Sequence, residues 1–131
     1  MDQRSETVYE LHAQILKALA QPRRLMILDC LHSGERSVGE LAELLELTQS
    51  NVSQHLAALR SQEIVATRRE GNTVFYSLVD QRIVQACDIF HEFLADRMKS
   101  NEAFAHQFPR LRPLRALESA AGARAAGSRS A

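Results

Sequence analysis

Between residues 37 and 78 the chain runs through a short helix pattern, a tight turn, a second helix with a polar face, and two β-prone runs around Glu70-Gly71-Asn72. Few small folds accommodate that order. Ser37 followed three residues later by Glu40 reads as a capping box, and Leu41, Leu44 and Leu45 supply the inner face of the helix it starts. A new helix begins at Thr48. Its Val52, Leu56 and Leu59 recur at i, i+4 and i+7 and share an inward stripe, while Ser50, Ser53, Gln54 and Ala57 point roughly the opposite way. Residues 64–69 and 73–78 then read as a hairpin, because Gly71 and Asn72 tolerate positive φ. Two helices across a turn followed by a wing make a winged helix-turn-helix, whose second helix enters the DNA major groove.

The flanks are helical. Val8, Leu11, Ile15, Leu16 and Leu19 recur at helical spacing before Pro22, which suits the first turn of a second helix. Leu25, Ile27, Leu28 and Leu31 carry that helix to Ser33-Gly34, where the glycine is a stop signal. After the hairpin, Asp80 is placed to cap a long last helix whose Ile83, Cys87, Phe90, Leu94 and Met98 form an apolar seam. Val84, Phe93 and the stripe on the first helix add more apolar surface than one small domain covers. The expectation is a mainly α fold of about five helices with a small β-hairpin wing, dimerised through its first and last helices.

At 131 residues and 45% hydrophobic content the chain suits one domain with a real core, and with 5% aromatics and no Trp that core is aliphatic. The expected division is a DNA-binding and dimerisation domain over residues 1–107 and a basic, disordered tail over 108–131, where Pro109 and Pro113 break the helical pattern. The tail holds five arginines against Glu118 alone, a net +4, which leaves −4 on the body of a chain whose formal charge is zero. Binding to DNA must therefore use local basic surface and groove contacts rather than overall charge. No apolar run approaches the ~20 residues that span a bilayer, and the polar N-terminus lacks an apolar signal core, so no membrane partner and a cytoplasmic location are expected.

Gln49, Ser50, Asn51, Ser53 and Gln54 offer the amides and hydroxyls that bond base edges and phosphates. Arg60 at the far end of that helix, Arg68 and Arg69 on the wing, and Asn72 at its tip are placed for phosphates or the neighbouring minor groove. His55 lies at the edge of the inward stripe, which favours a core-edge role or a phosphate contact over base readout. A solvated helix face, or a winged helix that binds only protein, is the alternative.

Taken together, Leu19-Ala20-Gln21-Pro22-Arg23-Arg24-Leu25, Ser37-Val38-Gly39-Glu40-Leu41-Ala42, Leu47-Thr48-Gln49-Ser50-Asn51-Val52-Ser53-Gln54-His55-Leu56 and Arg68-Arg69-Glu70-Gly71-Asn72-Thr73-Val74-Phe75-Tyr76 resemble the ArsR/SmtB family of small dimeric winged-helix repressors. The resemblance covers about residues 11–94. It implies a homodimer on an inverted-repeat operator, released by a metal or by thiol chemistry.

The family's recurring metal sites are not matched. Residues 37–44 hold no Cys-x-Cys, Asp80 is followed two positions later by Arg82, and the later ligand pair would fall on Phe93 and Asp96, so no metal or other cofactor is expected. Two cysteines remain, Cys30 and Cys87, 57 positions apart and without metal or disulfide-scaffold spacing. Cys30 falls on a flank of its helix with Met26 and Arg23; Cys87 falls in the apolar seam. The resemblance implies that thiols on these two helices sense reactive sulfur or oxidants, a disulfide or polysulfide bridge between them releasing DNA from sulfur-metabolism genes. The alternative within the family is a zinc, cadmium or arsenite regulator with a site outside the recurring ones, such as His91 with Asp88 or Cys87. An enzyme using Cys87 and His91 as nucleophile and base lacks any accompanying oxyanion or acid/base motif, so none is expected.

Overall fold

The computed structural model describes residues 3–107, so the basic segment 108–131 lies outside the described residues. In chain order the elements are α1 (Gln3–Leu19), α2 (Pro22–Leu31), β1 (Arg36–Ser37), α3 (Val38–Leu45), α4 (Gln49–Ser61), β2 (Val65–Glu70), β3 (Thr73–Leu78), α5 (Arg82–Ser100) and the short α6 (Glu102–Gln107). They fall into two compact units divided after Val79. No helix among the described residues is long and apolar enough to cross a membrane.

The first unit is built around aliphatic side chains of its helices and of β2. Ile27, Leu28 and Leu31 of α2, Leu41 of α3, Val52, Leu56 and Leu59 of α4 and Val65 of β2 are almost wholly excluded from solvent. The expected α4 stripe is thus the buried one. The helix starts also follow the sequence: Pro22 opens α2, and Ser37 Oγ accepts from the Glu40 backbone N–H at 3.1 Å while Glu40 Oε1 accepts from Ser37 N–H at 3.3 Å. Thr48 caps α4 by accepting from Asn51 N–H at 3.1 Å, and α3 ends on Glu46 in the left-handed region, φ 55°. These caps fix where α3 and α4 begin, because each satisfies a backbone N–H that the first turn leaves open.

The sheet holds one strand more than the expected hairpin. β2 and β3 pair antiparallel from Val65 opposite Leu78 to Glu70 opposite Thr73, around a two-residue turn in which Gly71 has φ 59°. β1 adds to the other edge of β3, with Arg36 opposite Tyr76 and Ser37 opposite Phe75. Its Arg36 Nε also donates to the Cys30 carbonyl at 3.0 Å, closing one of the carbonyls left open at the end of α2.

In the second unit, Asp80 serves α5 from one residue further out than expected, its carboxylate accepting from Arg82 N–H at 2.9 Å. The Arg82 guanidinium on the same carboxylate holds the Asp80 pKa down to about 2. Val84 is buried and Ile83, Cys87, Leu94 and Met98 are half-buried. Phe90 departs from the expected seam: it is exposed, with Ile89 and Phe93, on one flank of α5, and its ring centroid lies 5.9 Å from that of Phe93. In the first unit α1 likewise exposes Val8, Tyr9, Leu11 and Leu16.

Ser37→Ala removes the cap that starts α3. Its expected cost is about 1 kcal/mol, read as a fall in Tm of about 4–8 °C by circular dichroism; an unchanged Tm would show that the cap carries no stability.

Candidate nucleic-acid interface

With Val52, Leu56 and Leu59 sunk in the core, α4 must present its other side outward. Gln49, Ser50, Ser53, Gln54 and Ala57 are exposed together there, an uncharged face of two amides, two hydroxyls and a methyl. Such a face can enter a groove without burying an unpaired charge. Gln49 sits at the first turn close to α3, its Nε2 3.6 Å from where a Cβ on Gly39 would lie. Asn51 differs from its neighbours. It is half-buried, and its Oδ1 is the buried side-chain polar atom without a partner among the described residues. Leaving an amide oxygen unpaired costs about 1–3 kcal/mol, so Asn51 carries an unmet demand for a donor. Arg60 is exposed in the last turn.

On the wing the two arginines stand in different surroundings. Arg68 faces the same side as its cross-strand partner Phe75, and its guanidinium lies 4.9 Å from the centre of that ring. From there it reaches over β3 to Glu35, 2.6 Å away, and back to Glu70 at 2.9 Å. The three charges hold one another: the Arg68 hydrogen bonds push the Glu35 carboxyl below its ordinary range, and the two carboxylates push Arg68 up. In the free protein the Arg68 charge is therefore matched by carboxylates of its own chain, where the sequence pattern presents it to DNA. Arg69, opposite Val74 on the other face, and Asn72 at the turn are exposed.

His55 is half-buried beside the core stripe, as its position at the stripe's edge implies. Its partner comes from a distant part of the chain. Arg24, in the first turn of α2, donates from Nε to His55 Nδ1 at 3.2 Å and from a terminal nitrogen to the Ala18 carbonyl at 3.1 Å. One guanidinium thus joins the end of α1, the start of α2 and the middle of α4. Burial, and then the charges of Arg24 and Arg23, push the His55 pKa down, which favours the neutral ring.

Cys30 and Cys87 both carry thiols, with no disulfide. Cys30 is more enclosed than a flank position implies, because five successive residues of α2, 27–31, are buried where the helix packs against α3, α4 and β3. Cys87 is half-buried on α5. Among the described residues no three His, Cys, Asp or Glu side chains gather as metal ligands would.

A capped helix with an uncharged exposed face, backed by a second helix across a tight turn and followed by a β-hairpin wing whose sheet takes its third strand from ahead of α3, defines a winged helix-turn-helix DNA-binding module. Residues 21–67 match the family described as bacterial regulatory protein, arsR family. The transcriptional activator HlyU of Vibrio cholerae is 49% identical over 77 residues, 59% of this chain and 71% of that protein. The biofilm growth-associated repressor of Agrobacterium fabrum is 42% identical over 79 residues, 60% of this chain and 68% of that one. Among solved structures, reduced HlyU from Vibrio cholerae superposes with a TM-score of 0.63 at 43% identity over 70% of this chain and 97% of that one. The homodimeric winged helix-turn-helix DNA-binding domain Mb0332 from Mycobacterium bovis gives 0.68 at 29% identity, over 77% and 94%. The chain belongs to the arsR family and is a transcriptional regulator; the relatives named are regulators, not enzymes.

The wing arrangement has a measurable consequence. Glu35→Gln weakens the hold on Arg68 and is expected to tighten DNA binding and steepen the slope of log K against log salt by up to about one unit. Arg68→Ala is expected to leave the wild-type slope in place. Anisotropy titrations between about 50 and 200 mM salt read both; a shallower slope in Arg68→Ala would mean that Arg68 already neutralises a phosphate.

Proposed function

We propose that the protein is a homodimeric repressor that reads an inverted-repeat operator with α4 of each subunit and releases it when Cys30 and Cys87 are oxidised by reactive sulfur species or oxidants, so controlling sulfur-metabolism genes from the cytoplasm. The observation that carries the DNA-reading part is the exposed uncharged face of α4, set rigidly on a fully buried stripe. Gln49, Ser50, Asn51, Ser53 and Gln54 would meet the major groove, with His55, Arg60, Arg69 and Asn72, and Arg68 if its ion pairs open, meeting the backbone around it. The dimer is supported by the exposed apolar flanks of α1 and α5, since aliphatic and aromatic side chains such as Val8, Leu11, Ile89 and Phe93 gain from leaving water. Twofold symmetry would set the two α4 helices about 34 Å apart, one turn of DNA.

The thiol part rests on where Cys30 lies. It is buried on the helix whose first turn holds His55 of α4, so an added sulfur atom has little room without displacing α2, and a displaced α2 pulls on the DNA-reading helix. The chemistry balances with a trisulfide donor: two thiols and one hydrogen trisulfide give a three-sulfur bridge between the two Cβ carbons and two molecules of hydrogen sulfide. With peroxide, two thiols and one hydrogen peroxide give a disulfide and two waters. A hundredfold release from DNA requires the modified state to lose about 2.7 kcal/mol of operator binding relative to the reduced one.

Gel-shift titration with the reduced protein, before and after hydrogen polysulfide, tests the proposal alongside intact mass measurement. The wild type is expected to bind when reduced, to lose about a hundredfold in affinity after treatment, and to gain sulfur bridging the two cysteines. Cys30→Ser and Cys87→Ser should stay bound. If both variants are released like the wild type, or if a divalent metal alone releases the reduced protein, thiol control is wrong.

A further inference from the structure

The hydrogen bond between Arg24 and His55 selects which nitrogen of the imidazole carries the proton. A guanidinium has only donors, so Arg24 Nε–H on Nδ1 at 3.2 Å requires a lone pair at Nδ1. A neutral ring with its lone pair at Nδ1 carries its hydrogen at Nε2. His55 Nε2 has no protein partner among the described residues, and the buried unpartnered side-chain atom there is Asn51 Oδ1, so Nε2 reaches solvent. Arg23 is exposed one residue before Arg24, and both cations act on the ring. The result is a fixed N–H donor on α4, in a positive local field, beside the exposed face of Ser50, Ser53 and Gln54.

We propose that Arg24 is a positioning residue for DNA binding: by holding His55 in the Nε2–H tautomer and tying α4 to the end of α1, it aims that N–H at a phosphodiester oxygen flanking the groove that α4 enters. The proposal rests on the reading of α4 as the operator-facing helix. It explains why a residue at the stripe's edge is a histidine. A leucine would complete the stripe but offer no donor, and a lysine would leave Arg24 facing a like charge without an acceptor. It also gives Arg24, to which the sequence pattern assigns no role, a task that its contacts describe.

The tautomer is observable in the free full-length protein, independently of any operator. Long-range 15N–1H correlation at pH 7 is expected to show His55 with a protonated Nε2 and an unprotonated Nδ1. A protonated Nδ1, in either the other tautomer or an imidazolium, overturns the proposal. Arg24→Met removes the donor to Nδ1; it should let both tautomers populate and lower operator affinity about tenfold, while Arg24→Lys, which can still donate to Nδ1, should restore the spectrum and most of the affinity. Should Arg24→Met fail to fold, His55 variants carry the same test. Gln places an amide N–H near the Nε2 position and should keep affinity within about threefold, whereas Asn places it near Nδ1 and should lose about tenfold. Equal losses for Gln and Asn, or full affinity in both, would refute the aimed donor. A wild-type protein that shows the expected tautomer but binds no operator would instead refute the DNA-reading function and leave the Arg24–His55 geometry standing.

Discussion

Burial of Val52, Leu56 and Leu59 is the constraint from which the rest of this molecule follows. With these three side chains wholly out of water, α4 has one permitted rotation about its axis, and its uncharged face has one permitted direction. Turning the helix enough to hide Ser50, Ser53 and Gln54 would expose three aliphatic side chains, each worth about 1.5–3 kcal/mol in burial, and desolvate polar groups as well. The exposed polar face of α4 is thus a by-product of core packing. The Thr48 and Ser37 caps then set where α4 and α3 begin, and the two-residue turn at Gly71 and Asn72 sets where the wing ends.

Charge is distributed under a similar constraint. A chain of zero formal charge must place its cations deliberately if it is to meet a polyanion, and this one commits Arg24, Arg36, Arg68 and Arg82 to contacts within itself. Arg68 is held by Glu35 and Glu70 over Phe75, a tie that joins β2 to the loop ahead of β1 across the intervening strand. Arg24 is held by the Ala18 carbonyl and the His55 ring. Exposed ion pairs such as Arg68 with Glu35 contribute little to stability, and their effect is on which charges DNA encounters. α2 thereby joins a buried thiol at its last turns to a hydrogen bond with α4 at its first.

What is legible in the sequence is what depends on neighbours in the chain. Ser37 and Glu40 cap one another across three positions, Pro22 and Thr48 mark helix starts, and the α4 stripe repeats every three or four residues, so each is readable in a short window. The same local logic places His55 at the stripe's edge. What escapes depends on partners far apart: β1 is only two residues and exists because Tyr76 and Phe75 lie beside it, Arg68 meets a glutamate 33 positions away, and Arg24 meets a histidine 31 positions away. Cys30 reads as a flank residue because periodicity describes one buried face, whereas α2 is enclosed over its whole last turn. The capping carboxylate of α5 is legible in kind and displaced by one position, since Asp80 reaches past the N-cap Gln81 to the Arg82 N–H from just outside the helix.

Hydroxyl-radical footprinting of the reduced protein on the DNA upstream of its own gene examines the groove-reading geometry most directly. Two protected stretches, related by a dyad and centred about one helical turn apart on the same face of the duplex, are the expected result. Absence of protection at physiological salt, or a single stretch without a dyad, would contradict a homodimer that reads DNA through α4.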